Sequence, residues 1–133
     1  MTSLIKREEI ERAKFDAEIV ALTAQQVIKD FMQFGMDVSF SGNIYSAYDE
    51  LFDQLDVHIT HLLNTSCQRL MSLLYQIDVG EAKLAKLIDD RPGSSISEVI
   101  TEAILERELL KVLTRLYFKR MNANSKDAEQ LPE

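Results

Sequence analysis

Cysteine, proline, glycine and tryptophan are scarce or missing in this chain of 133 residues, which has one Cys, two Pro, four Gly and no Trp. A single thiol, Cys67, excludes an intramolecular disulfide and any cysteine-based zinc site. In a predicted helix it reads as a small buried hydrophobe. No proline precedes Pro92, so helix breakers are rare. No apolar run approaches the ~20 residues that a membrane span needs. The start, Met1-Thr2-Ser3-Leu4-Ile5-Lys6-Arg7-Glu8-Glu9, turns charged at once and lacks a signal-peptide core, so the expected location is cytoplasmic. Positive charge is also short: 15 Lys and Arg face 22 Asp and Glu, a net charge of −7 that opposes non-specific attraction to nucleic acid or anionic lipid. There is no Gly-rich phosphate loop, and two helical histidines offer no triad or nucleophile elbow. The parts for an enzyme are lacking, and no cofactor is expected.

What is present is helix. Three segments place an oxygen-bearing cap three residues before Glu or Gln: Thr23-Ala24-Gln25-Gln26, Asp78-Val79-Gly80-Glu81 and Ser95-Ile96-Ser97-Glu98. From Ile10 to Phe34 the apolar residues step by three and four through Ala13, Ala17, Val20, Ala24, Val27 and Phe31. That seam predicts one long N-terminal rod or two nearly collinear pieces packing lengthwise on a partner. Its small residues could be buried within one subunit or across two. Gly35 is the expected stop.

Residues 36–43 break the pattern, and Val38 and Phe40 alternate with Asp37, Ser39 and Ser41. This reads as an extended connector whose two apolar side chains tuck into the core. Asn43 is expected to cap a third helix carrying Ile44, Tyr48, Leu51, Phe52, Leu55, Ile59, Leu62 and Leu63 as its apolar stripe. Asn64-Thr65-Ser66 marks a new cap, and Leu70, Met71, Leu73, Leu74 and Ile77 predict a helix buried nearly all round. A short helix follows Asp78, an exposed loop spans 89–94, and a long last helix runs from Ile96 to Met121. The fold class is all-α: a single compact bundle of five or six helices over residues 1–121. Residues 122–133 read as a polar, disordered tail.

Candidate chemistries weigh lightly. His58 and His61 lie three apart on one helix, but a metal site needs a third ligand, so no metal is assigned. Asp49, Glu50, Asp53 and Asp56 read as the solvated face of an amphipathic helix, away from any environment that would tune an acid–base pair. Arg107, Lys111, Arg115 and Lys119 recur every four residues, with Arg120 beside them, and only Glu108 offsets them. Such a row can receive an acidic protein partner, follow a phosphate backbone, or pair with the chain's own acids. Phe40, Asn43, Tyr45, Tyr48 and Tyr75 are the residues that could line a small-ligand pocket beside the connector.

Phe40-Ser41-Gly42-Asn43, Tyr48-Asp49-Glu50-Leu51-Phe52, Leu73-Leu74-Tyr75-Gln76-Ile77-Asp78-Val79 and Arg107-Glu108-Leu109-Leu110-Lys111-Val112-Leu113-Thr114-Arg115 resemble stretches of a family of small, all-helical bacterial proteins of unknown function. The resemblance spans most of the chain before the tail. It implies a helical structure and no activity. The expectation is a non-enzymatic interaction or structural module that self-associates or binds another protein. A ligand-binding protein or enzyme using the tyrosines, and a nucleic-acid binder using the basic row, are the alternatives.

Overall fold

The computed structural model describes residues 5–130, with side chains as far as residue 123. It contains six helices: α1 (Arg7–Ala13), α2 (Ala17–Met32), α3 (Ala47–Thr65), α4 (Cys67–Ile77), α5 (Glu81–Asp90) and α6 (Ile96–Gln130). No strand occurs among the described residues, so the all-α expectation holds. Helix α6 is the spine: α2 and α3 make their most extensive packing against it, and α4 and α5 also rest on it.

The N-terminal rod is two helices. The chain leaves α1 at Lys14, and Asp16 caps α2 by accepting the Ile19 N–H at 3.2 Å. Thr23 starts nothing; it lies inside α2, where its hydroxyl donates to the Ile19 carbonyl at 2.7 Å. Most of the seam is nonetheless buried in the fold, with Ala17 exposed and Phe34 half-buried. Ile10, Ala13 and Ile19 pack with Leu109, Leu110 and Val112 of α6. Ala24, Val27 and Phe31 enter the main core with Leu51, Leu55, Ile59 and Leu62 of α3, Leu73 and Ile77 of α4, and Ile104 of α6. Each such large side chain contributes about 1.5–3 kcal/mol on burial. The seam is therefore spent largely on packing inside the molecule.

Helix α2 stops at Gly35 as expected. With φ +71°, this glycine lets Met36 N–H reach the Phe31 carbonyl at 3.0 Å while its own N–H reaches that of Met32 at 2.9 Å. Asp78 ends α4 in the same way, at φ 70°, with Val79 N–H on the Leu74 carbonyl at 2.9 Å. The predicted cap of α5 is thus the terminator of α4; Gly80 precedes α5 and supplies no side chain. Two other caps, Ser66 and Ser95, are as read. Ser66 Oγ accepts from Arg69 N–H, and Ser95 Oγ accepts from Glu98 N–H, each at 3.2 Å.

The connector between α2 and α3 runs antiparallel to α3 and is clasped by it. His58 Nε2 donates to the Asp37 carbonyl at 2.7 Å, Gln54 Nε2 donates to the Ser39 carbonyl at 2.8 Å, and the Glu50 carboxylate accepts Ser41 N–H at 2.8 Å. Ser39 N–H also donates to Gln54 Oε1 at 2.9 Å. Side chains four apart on a helix rise about 6.0 Å, and alternate residues of an extended chain are spaced about 6.4–6.8 Å, so the two series run in step. The intervening Val38 is buried and Phe40 is half-buried against the main core.

Three further details depart from the sequence reading. Asn43 organises a turn, its Oδ1 accepting from Tyr45 N–H at 3.0 Å, and α3 begins only at Ala47, with Ile44 outside it. Helix α4 buries one face and leaves Met71, Tyr75 and Cys67 exposed. Helix α6 continues past Met121 to Gln130, and residues 131–133 of the expected tail lie outside the described residues.

Candidate interaction site on the last helix

Thirty-five residues give α6 a length of about 52 Å, nearly twice that of the 19-residue α3, at about 28 Å. The last helix therefore outruns the bundle. Its N-terminal half is buried through Val99, Ile100, Ile104, Leu105 and Leu109. Towards its C-terminal end Tyr117, Phe118 and Met121 remain 39–48% exposed, although the apolar stripe continues through them. No carboxylate occurs between Glu108 and Asp127, while Lys111, Arg115, Lys119 and Arg120 do. The outer part of α6 is consequently both apolar and cationic.

The inner part of the basic row faces α2 and the molecule's own acids. Arg107 pairs with Asp78 at 2.9 Å, and Lys111 meets Glu108 at 2.7 Å and Asp30 at 3.7 Å. Arg115 donates to Gln26 Oε1 at 3.0 Å, and Gln26 Nε2 donates in turn to Asp30 Oδ1 at 3.0 Å. A continuous polar chain thus crosses from Arg115 through Gln26 and Asp30 to Lys111 and Glu108. Asp30 is 4% exposed and Glu108 is completely buried. Burial pushes the Glu108 carboxyl up to about 8, helped by Asp30 and opposed by Lys111. At neutral pH it holds its proton, so Glu108 adds no negative charge to the seam beside Lys111.

Clefts lie on both sides of the Gln26–Arg115 hydrogen bond. One of about 390 Å³ is lined by Arg107, Lys111 and Arg115, with Ile5, Leu110 and Gln26 among its other walls. The second, about 370 Å³, brings Lys119 of α6 opposite Lys29 of α2, over Leu22 and Leu116. All four residues of the basic row therefore line this face, three of them already engaged with polar neighbours.

The tyrosine candidates are dispersed. Tyr45 and Tyr75 stand almost fully in solvent, at 87% and 88% exposure. Phe40 packs on the main core, and Asn43 is occupied by the turn before α3. Tyr48 alone of the five lines one of the clefts described, with Arg7, Lys14 and Glu106. Its hydroxyl is buried without a protein partner, and burial, with the charges of Glu11 and Glu106, holds the phenol above the usual tyrosine range. The Lys14 ammonium lies 5.5 Å from the centre of its ring. His58 is spent on the connector, and no cluster of three metal-ligating side chains occurs among the described residues.

Sequence reasoning passed over Asp30 and took Glu108 only as an offset to the basic row, although a signal for both was there. Glu108 lies four after Ile104 and four before Val112, both buried, so helical phase alone puts it on the inner face. Asp30 falls between Val27 and Phe31 on the seam.

No helix among the described residues is long and apolar enough to cross a membrane. Comparisons with protein-family models, with curated proteins and with solved structures found no match.

Proposed function

We propose that this chain is a non-enzymatic protein-interaction module whose docking element is the outer part of α6. The observation that carries the reading is the exposure of Tyr117, Phe118 and Met121 on a helix that outruns its own bundle, flanked by Lys119 and Arg120. Aromatic residues, methionine and arginine are the side chains enriched at protein interfaces, and a helix face of this kind suits a groove or a second helix. The partner surface that fits is apolar at its centre and acidic at its rim, because the cationic edge would otherwise be repelled. The acid-rich remainder of the chain favours the same polarity of recognition, because it repels an acidic partner from the other faces.

The test is affinity capture from the native host with the full chain, beside a variant carrying Tyr117→Ser, Phe118→Ser and Met121→Ser, with sedimentation velocity on both. A protein retained by the wild type and lost by the variant, or an assembly present only in the wild type, supports the reading. Identical captured proteins and identical sedimentation would refute it.

A further inference from the structure

We propose that the cleft walled by Arg107, Lys111 and Arg115 of α6 and Gln26 of α2 is a binding site for an organic phosphate monoester. The three cations come from successive turns of one helix and line a single cavity of about 390 Å³, within the ~300–1,000 Å³ range of small-molecule sites. Their present partners leave capacity to spare. Arg115 gives one donor to the neutral Gln26, and Arg107 pairs with an Asp78 carboxylate that is 78% exposed. An ion pair so open to water contributes little and is readily exchanged. The Nε of Arg107 is buried and has no protein acceptor. The Arg107 guanidinium, which lines the cleft, is therefore not fully committed to partners within the fold.

Charge selects the ligand class. Asp30 offsets one of the three cations, and once Asp78 turns to solvent two positive charges remain, which a dianion matches and a monocarboxylate does not. Glu108, which keeps its proton at neutral pH, adds no negative charge to that count. Arginine forks meet tetrahedral phosphate oxygens two at a time, and the lysine ammonium adds a point charge between them. Ile5 and Leu110 supply an apolar wall for an organic body. The proposal is independent of the docking role assigned to the outer part of α6.

The experiment is calorimetric titration of the full chain with phenyl phosphate at neutral pH and low salt, with benzoate in parallel. Saturable binding of phenyl phosphate, about tenfold or more tighter than benzoate, is expected, and Arg115→Gln and Arg107→Gln should each weaken it about tenfold or more. Arg120→Gln removes the same charge from the same helix outside the cleft and should change affinity by less than about twofold. Thermal unfolding of each variant checks that it is folded, and Arg115, being exposed, provides the variant least able to disturb the core. Absence of saturable binding, benzoate binding as tightly as phenyl phosphate, or a loss with Arg120→Gln equal to that with Arg115→Gln would overturn the assignment.

Discussion

Replacing Glu108 by Gln should make the protein's stability far less sensitive to a rise in pH from about 4.5 to about 8. In the unfolded chain this carboxyl titrates near its ordinary 4.5, whereas in the fold it holds its proton up to about 8. Between those values the folded state binds one proton more than the unfolded state. Stability associated with Glu108 is therefore complete below about pH 4.5 and falls as pH rises through about 8, at about 1.4 kcal/mol per pH unit. From about pH 6 to about pH 9 the slope acts until the folded state also ionises, a loss of roughly 2–3 kcal/mol. The full range of titration sets a ceiling of about 5 kcal/mol, which water entry and relaxation at the α2–α6 seam reduce. Glutamine has nearly the same shape and stays neutral, so it removes the titration without adding a charge. Urea unfolding at several pH values, with wild type and Glu108→Gln side by side, reads the difference. The variant should lose roughly 2–3 kcal/mol less than the wild type over that interval. Parallel pH profiles for the two proteins would refute the placement of a proton on Glu108.

Three other outcomes follow from the backbone and the connector. Gly35→Ala should cost about 1 kcal/mol through its positive φ alone, since no atom lies within 4 Å of the added carbon; Gly93→Ala, equally open and without positive φ, should be close to neutral in the same melting experiment. Asp78→Gly should raise the melting temperature by about 2–4 °C by relieving the left-handed residue at the end of α4, since the exposed pair with Arg107 contributes little; an unchanged or lower value would contradict this. Gln54→Ala removes the paired hydrogen bonds to Ser39 and should cost about 1–2 kcal/mol, with faster amide exchange at Ser39 by NMR; unchanged protection there would mean that the clasp does not hold the connector.

Much of the fold was legible because it rests on side-chain period. The stripes of α3 and α6, the stop at Gly35 and the inward Val38 and Phe40 all follow from which residues are apolar and how far apart they stand. Caps were less secure, because a capping sequence is only a few residues long and says nothing of what flanks it. Thr23-Ala24-Gln25-Gln26 has the right letters, but the apolar seam runs through it unbroken, and packing against α6 keeps it inside a helix. Asp78 can cap a helix or end one, and the hydrogen bonds closing α4 took precedence. Of the candidate site, the alignment of Arg107, Lys111, Arg115 and Lys119 along one helix was visible. That three of them meet polar groups on other turns and elements was not, because those neighbours, Gln26, Asp30 and Asp78, are distant in sequence. The tyrosines misled for the opposite reason: they are suitable wall material, but Tyr45 falls in the turn before α3, and helical phase carries Tyr75 outward and Tyr48 inward.

The clasp along α3 also limits itself. Each step from one anchor to the next falls short on the helix by about 0.4–0.8 Å relative to the strand, so the error grows with every rung. Across Glu50, Gln54 and His58 the drift is small enough for side-chain rotation to absorb. A fourth rung would be out of register by about 1.2–2.4 Å, beyond what a hydrogen bond tolerates. A helix can fasten a straight ribbon in this manner only over a short stretch, and lengthening or shortening the ribbon by a single residue would turn its apolar teeth outward and unfasten every rung together.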